Sequence, residues 1–207
     1  NAAVLADAEL QFEVDEVKAD LLRVGPHRLV HGDRSLEQRM KLMQEYGDEY
    51  IGDLLAINLP RKEALEISEK YPTIALANHN APDQTVVGGI RADIFALQKE
   101  LVHKGIRVYH VPLDGAYHTG IFEPLRDELT DMFKDLKVDI DWKIPIYDCL
   151  TGEPFEHEAE IVRSRLAHQL LAPVEWVKLM NNVFQDGARV FIETGPRAVL
   201  TNLHEGI

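Results

Sequence analysis

The chain has 207 residues, which is enough for one large domain or for one and a half. Hydrophobic residues make up 45% and charged residues 28%, as in ordinary globular proteins. The net charge of -13 argues against binding to nucleic acid or to an anionic membrane. The only cysteine, Cys149, excludes an internal disulfide and a cysteine metal cluster, so we expect no metal site and a reducing, cytoplasmic setting. No apolar run approaches the roughly 20 residues that cross a membrane.

Residues 1–50 have mostly helical patterns. The run from Asp15 to Val24 predicts one helix, ended by a Gly-Pro pair, and a second helix follows Ser35 and ends near Gly47. The first residues are acidic and lack the basic region of a signal peptide, and the start at Asn1 suggests further sequence upstream.

Residues 51–113 alternate between strand and helix patterns. Strands are predicted at "DLLAINL", "TIALAN", "TVVGGI" and "IRVYHVPL", with a turn at "HNAPDQ". One helix begins at Pro60, and a second places Ile94, Phe95, Leu97, Leu101 and Val102 on one face before Gly105. The element order β-α-β-β-α-β is that of the ferredoxin-like unit.

Residues 114–207 predict an α/β segment. An amphipathic helix is expected over 121–136, a buried strand at "KIPIYDCL", and two helices on either side of Pro173. The final run, "RVFIETGPRAVLTNL", predicts a strand, a Gly-Pro turn and a helix. That turn is also a weak candidate for an anion site at a helix end.

His118 is the first candidate for chemistry. It follows a predicted strand within a turn of small residues, and it precedes a helix. Side chains at the carboxyl ends of strands often face the ligand crevice of an α/β protein. The positive end of the following helix would favour the neutral imidazole that a base requires. A surface or hydrogen-bonded loop histidine is the alternative.

Arg39 is the second candidate, because it lies in the middle of an apolar helix face. A buried guanidinium needs an anion, and its planar fork suits both oxygens of a carboxylate. The alternatives are an internal salt bridge, or a stem packed on the core with its head in water, and on the residues alone they outweigh a ligand site. Other chemistry has no support, because the chain contains no Gly-x-Ser-x-Gly elbow, P-loop, Gly-x-Gly-x-x-Gly or His-Glu-x-x-His.

Five segments stand in order from about residue 35 onward: "QRMKLMQ", "ALANHNAPDQTVVGG", "GAYHTGIFEP", "HQLLAPVEWVKLM" and "ETGPRAVLTNL". Together they resemble the family of malonyl-CoA:acyl-carrier-protein transacylases and polyketide synthase acyltransferase domains. The resemblance implies an α/β-hydrolase-like large subdomain with a ferredoxin-like small subdomain inserted at 51–113. Residues 1–50 and 114–207 would then belong to the large subdomain, although residues 1–30 do not resemble the family.

The resemblance also implies roles for particular residues. His118 would be the general base of a Ser-His pair, and the backbone carbonyl of Gln169 would orient its ring. Arg39 would bind the free carboxylate of a malonyl-type acyl group. Gly115, Ala116 and Tyr117 would occupy the motif that varies with acyl choice, and Asn80 would line the cleft between subdomains.

The implied function is two-step acyl transfer from coenzyme A to an acyl carrier protein, in fatty acid or polyketide biosynthesis. A coenzyme A thioester is then a substrate, and no permanent cofactor is expected. The family's serine should lie some two dozen residues before Arg39, where this chain reads "LQFEVDEVKAD". We therefore expect the serine on sequence outside the chain, within a larger synthase or on a partner. A non-catalytic module that binds acyl-CoA or carrier protein is the alternative, and a free-standing regulatory ferredoxin-like module would leave 114–207 unexplained.

Overall fold

A four-stranded antiparallel sheet forms the first part of the computed structural model, which describes residues 52–113, 115–194, 198–204 and 207. The strand order is β2-β3-β1-β4, and all three neighbouring pairs are antiparallel. Two helices complete this part, so the element order is the β-α-β-β-α-β that the sequence predicts. The bounds are β1 Asp53–Ile57, α1 Arg61–Ser68, β2 Ala75–Ala81, β3 Gln84–Gly89, α2 Arg91–His103 and β4 Val108–Val111.

One face of the sheet packs on both helices. Alternate residues of a strand point to opposite faces, so Leu55, Ile57 and Val87 share the face that meets α1 and α2. From α2, the inward residues are Ile94, Leu97 and Leu101, which are almost fully buried. The prediction that Phe95 and Val102 share this buried face is wrong, since they are 55% and 59% exposed. Positions 95 and 102 lie on the outer side of the helix because the sheet contacts only a narrow stripe of it.

The β2–β3 hairpin is longer than predicted. "HNAPDQ" was expected to be a turn, but β2 continues to Ala81 and β3 begins at Gln84. Only Pro82 and Asp83 remain between the strands. Register shifts occur between Leu76 and Asn78 and between His79 and Ala81. Such irregularities bend a strand locally, which allows the polar residues at the end of β2 to stay paired with β3.

Helices dominate the second part. A 3-10 helix over Gly120–Leu125 leads directly into α3. Phe122 of the 3-10 helix and Leu129 and Phe133 of α3 pack in one cluster with residues of α4. The helix α5 contributes Trp176, Leu179, Met180 and Val183 to another cluster. The bounds are α3 Arg126–Phe133, α4 Ala159–His168, α5 Trp176–Gln185 and α6 Val199–His204.

Two predicted strands are not strands in the structure. Residues 143–150 contain no strand, only bridge residues at Ile146 and Tyr147, and Tyr147 pairs with Pro154. Residues 189–194 are irregular, and Val190 and Ile192 are 80% and 81% exposed. An apolar, alternating run becomes a strand only when a neighbouring strand takes its hydrogen bonds. Within the described ranges no strand lies beside either segment.

Both helices predicted within residues 1–50 lie outside the described residues. In the part of the chain that the structure does describe, no helix is long and apolar enough to cross a membrane.

Candidate active site

His118 lies in a tight loop that packs against the sheet. Ala116 and Thr119 are buried, and their methyl groups lie only 3.1 and 2.9 Å from the position that a Cβ on Gly88 of β3 would occupy. The Thr119 hydroxyl donates to the Ala116 carbonyl and accepts from the Ile121 amide at the start of the 3-10 helix. These contacts fix the loop on both sides of His118.

The backbone of His118 is in the left-handed region, with φ of 64°. A residue with a side chain adopts this conformation at some cost, so the surrounding contacts must hold it. The His118 amide donates to the Leu170 carbonyl at 2.9 Å, and ring atom Nδ1 lies 2.7 Å from the Gln169 carbonyl oxygen. Both acceptors follow α4 directly, so the end of this helix holds the histidine at two points.

The contact with Gln169 determines the state of the neutral ring. A carbonyl oxygen can only accept, so Nδ1 must carry the proton and donate it. In the neutral imidazole, Nε2 then has the lone pair and can take a proton from another group. This is the arrangement that a general base requires.

The charge environment of His118 includes a contribution that the sequence did not reveal. Sequence reasoning considered the positive end of the following helix, which is the six-residue 3-10 helix. The structure also places His118 at the carboxyl end of α4, where the helix dipole gives partial negative charge.

Gly115, Ala116 and Tyr117 precede the histidine as a compact group. The rings of Tyr117 and Phe122 stack with their centroids 5.0 Å apart and only 3° between planes. A Cβ on Gly115 would meet both rings at 3.1–3.2 Å, and its φ of 151° also disfavours a side chain. The backbone angle and the adjacent ring stack therefore both favour glycine at this position.

Gln169 has a second contact, made by its side chain. The amide Nε2 donates to the Cys149 sulfur over 3.3 Å. The Cys149 carbonyl in turn accepts from the Glu175 amide at 2.8 Å. The loop after α4 is thus connected to the segments before and after it in the chain.

Asn80 and Arg39 are the other predicted site residues. Asn80 is half-buried on β2, where its amide donates to the Gln84 side chain at 3.3 Å. Arg39 lies outside the described residues, and so do residues 195–197 of the candidate anion turn. The structure therefore brings His118, Gln169 and the 115–117 group together, and it places Asn80 on the sheet.

Sequence reasoning missed an ionic group next to Asn80. Arg61 Nη1 donates to both carboxylate oxygens of Glu175, at 2.9 and 3.0 Å, and His79 Nδ1 lies 4.0 Å from the same carboxylate. Burial lowers the pKa of His79 below its usual value of 6.5, the Arg61 charge lowers it further, and Glu175 opposes them. The sequence feature that could have indicated this group is Glu175, an acid between Val174 and Trp176 in an otherwise apolar segment.

The same part of the chain joins β2 to the loop before α5. The Val174 amide donates to the Ala77 carbonyl, and the His79 amide donates to the Val174 carbonyl, both at 2.9 Å. This short parallel bridge covers part of the edge of β2. No group of three or more His, Cys, Asp or Glu side chains that could hold a metal ion occurs in the described ranges.

Comparison with known proteins defines the class. The family model described as "Acyl transferase domain" matches residues 31–206, so the chain belongs to this family. Its α/β structure with a small antiparallel sheet is similar to a solved malonyl CoA-acyl carrier protein transacylase from Coxiella burnetii. The TM-score is 0.72 at 28% identity, over 83% of this chain and 55% of that one.

The relatives include transacylases and much longer synthases. The malonyl CoA-acyl carrier protein transacylase of Haemophilus influenzae is 28% identical over 83% of this chain and 56% of its own length. One component of the polyunsaturated fatty acid synthase of a Thraustochytrium species is 30% identical over 73% of this chain and 5% of its own length. A malonyl-transacylase solved in complex with its acyl carrier protein has the same fold, with a TM-score of 0.72 at 24% identity. The chain thus spans about half the length of the transacylases it matches.

Proposed function

We propose that this chain provides the base and the acceptor side of an acyltransferase. The enzyme would move a malonyl-type group from coenzyme A to the pantetheine thiol of an acyl carrier protein, in fatty acid or polyketide biosynthesis. The observation that carries the proposal is the Nδ1 contact of His118 with the Gln169 carbonyl, which leaves Nε2 as the acceptor. Family membership supports the reaction class.

In the first half-reaction, a serine hydroxyl attacks the thioester carbonyl and its proton passes to His118 Nε2. The tetrahedral intermediate then collapses, the bond to sulfur breaks, and the imidazolium returns the proton to the departing coenzyme A thiolate. The carbonyls at the end of α4 stabilise the imidazolium between these steps.

In the second half-reaction the roles are reversed. The pantetheine thiol gives its proton to Nε2 and its sulfur attacks the serine ester. Collapse of the second intermediate breaks the ester bond, and the serine oxygen recovers the proton. Neither step, as proposed, requires a metal or a permanent cofactor.

The nucleophile would be a serine outside these 207 residues, on the same longer protein or on a second chain. The serines present are Ser35, Ser68 and Ser164, and none stands in a Gly-x-Ser-x-Gly sequence. Of these, Ser68 is buried on α1 with its hydroxyl donating to the Ala64 carbonyl.

The remaining predicted residues would shape the substrate site. Arg39 would bind the free carboxylate of the acyl group, and Gly115, Ala116 and Tyr117 would line the acyl pocket. Asn80 would face the cleft between two subdomains. We assign residues 51–113 to a ferredoxin-like small subdomain, which the strand order supports. Residues 1–50 and 114–207 would belong to an α/β-hydrolase-like large subdomain.

A second candidate function is a module that binds acyl-CoA or carrier protein without catalysis. The observation that favours it is the absence of a serine elbow from the 207 residues. Because both functions require the same cleft, binding alone does not separate them. Formation of a covalent acyl-enzyme does.

The test is intact-protein mass spectrometry of the longest natural protein that contains this chain, after incubation with malonyl-CoA. We expect a malonyl adduct that is lost when carrier protein is added. His118→Ala should abolish the adduct. His157→Ala is the matched control, because its Nδ1 also lies 2.7 Å from a backbone carbonyl, that of Ile140, at an exposed position.

Two results would contradict the proposal. An adduct that forms at the wild-type rate in His118→Ala would remove the histidine from the mechanism. Binding of malonyl-CoA with no adduct, in a protein that includes all natural sequence, would favour the non-catalytic module.

A further inference from the structure

The orientation of the His118 ring depends on its contact with the backbone carbonyl of Gln169, a residue at the end of a helix. Gln169 follows α4, whose last residue is His168, and its amide bonds to Leu166 at a long 3.3 Å. The last turn of a helix lacks partners for its carbonyls and frays readily. The helix alone therefore does not fix the direction of the Gln169 carbonyl.

The side chain of Gln169 supplies a second anchor. Its amide donates to the Cys149 sulfur over 3.3 Å, so the residue is held at its backbone and at the far end of its side chain. A side chain fixed at its tip restricts the rotation of its own backbone. The carbonyl then stays directed at His118 Nδ1.

Cys149 is itself held in place. Its carbonyl accepts from the Glu175 amide at 2.8 Å. The preceding Asp148 is 5% exposed, and its carboxylate accepts from the Leu150 amide and the Thr151 hydroxyl at 3.0 and 2.9 Å. The sulfur is therefore part of a well-braced turn and can serve as a fixed point.

From these contacts we propose that Cys149 is a positioning residue for His118, acting through the side chain of Gln169. The inference rests on the proposed function in one respect only: if His118 is the base, the contact keeps it in the tautomer that can accept a proton on Nε2. The sulfur is a weak acceptor, so we expect a modest and measurable effect rather than an all-or-none effect.

Packing is the competing explanation, because Cys149 also contacts the cluster formed by Trp176 and its neighbours. Two substitutions separate the explanations. Cys149→Ser keeps an acceptor but is smaller and more polar than cysteine, whereas Cys149→Val is apolar and somewhat larger but has no acceptor. Positioning predicts that Val disturbs His118 more than Ser, and packing predicts the reverse.

The experiment measures the ring nitrogens of His118 by ¹⁵N NMR at neutral pH, in the longest natural protein that contains this chain, with its histidines labelled. In the wild type we expect a predominant tautomer with the proton on Nδ1. Cys149→Val and Gln169→Ala should each raise the minor tautomer by about threefold, as expected for loss of one weak hydrogen bond. The double variant should show no further change, because both substitutions break the same contact.

Two results would overturn the inference. One is a wild-type tautomer ratio in Cys149→Val, and the other is an additive effect in the double variant. If Cys149→Val fails to fold, Gln169→Ala alone decides, because it removes the tether and leaves the cysteine in place. The readout requires no turnover, so failure of acyl transfer and failure of this inference are distinguishable.

Discussion

Gly115 shows how one residue without a side chain shapes the loop before His118. Its φ of 151° disfavours a side chain, and a Cβ there would lie only 3.1–3.2 Å from the Tyr117 and Phe122 rings. An alanine would have to displace the ring stack or the backbone. Because the stack is next to His118, the local strain would reach the candidate base.

We predict that Gly115→Ala lowers the free energy of unfolding by about 1–3 kcal/mol, through backbone strain and overpacking. Urea unfolding measures the loss, and near-ultraviolet circular dichroism reports the displaced Tyr117 ring. Gly120→Ala is the matched control, because nothing lies within 4 Å of its Cβ position. Equal effects at both glycines would show that the ring stack does not constrain position 115.

The burial of His79 makes the stability of the fold depend on pH. Burial and the Arg61 charge lower the pKa of its ring below the usual 6.5, although Glu175 acts in the opposite direction. Above pH 6.5, both the folded and the unfolded chain keep this histidine neutral, so it does not affect stability. As the pH falls through 6.5 the unfolded chain binds the proton first, and stability is lost until the folded pKa is reached.

We therefore predict that His79→Gln loses less unfolding free energy than the wild type as the pH falls below about 6.5. Chemical unfolding at several pH values gives the slope of unfolding free energy against pH for the wild type and for His79→Gln. His103→Gln is the control, since His103 is an exposed histidine on the last turn of α2. Parallel slopes for the wild type and His79→Gln would contradict the prediction.

At the scale of an element, α2 shows the difference between an apolar pattern and a buried face. The first turn is capped from outside, because the Thr73 hydroxyl accepts from the Ile90 amide and donates to Asp93. The last turns are tied by Glu100, which meets Lys70, Lys104 and the Tyr71 hydroxyl, and these partners lower the pKa of Glu100 to about 2. The helix is thus fixed at both ends and buries only its inner stripe.

We predict that Leu97→Ala costs about 2–5 kcal/mol of unfolding free energy, because the residue is fully buried against the sheet. Val102→Ala on the same helix should change stability by no more than about 0.5 kcal/mol, since Val102 is 59% exposed. Thermal and urea unfolding measure both variants. A large loss in Val102→Ala would indicate that its exposed face is covered in solution.

At the scale of the whole molecule, the Arg61–Glu175 pair joins residues 114 positions apart. It connects the start of α1 to the residue before α5, beside the bridge between β2 and Val174. The Arg61 side chain is 42% exposed, so water screens the pair and the expected contribution is small. Both carboxylate oxygens accept from the single nitrogen Nη1, so the pair lacks the two parallel hydrogen bonds of an arginine fork.

We predict a coupling of about 0.5–1 kcal/mol between Arg61→Met and Glu175→Gln in a double-mutant cycle, decreasing at high salt. Lys62→Met with Glu66→Gln is the control cycle, because that pair is 3.8 Å apart and largely exposed. The control should give a smaller coupling. A coupling near zero for Arg61 and Glu175 would show that backbone bridging alone joins the two parts.

The sequence predicted the elements of residues 51–113 and offered His118 as one candidate for chemistry. Alternating apolar residues and the Pro60 and Gly105 boundaries predicted the β-α-β-β-α-β order, which the structure has. That order depends on neighbours within a few residues, so local propensity decides it. The role of general base for His118 came from the family resemblance. Family resemblance identified the acyl transferase class, which the match over residues 31–206 confirms.

Tertiary structure decided what depends on distant partners. The runs at 143–150 and 189–194 have strand patterns, but a strand needs a neighbour, and within the described ranges they have none. The exposure of Phe95 and Val102 depends on how much of α2 the sheet covers. The tautomer of His118 depends on a carbonyl 51 residues away, and the tether of Gln169 on a sulfur 20 residues away. No local pattern specifies such contacts, because they arise only when the folded chain brings separate segments together.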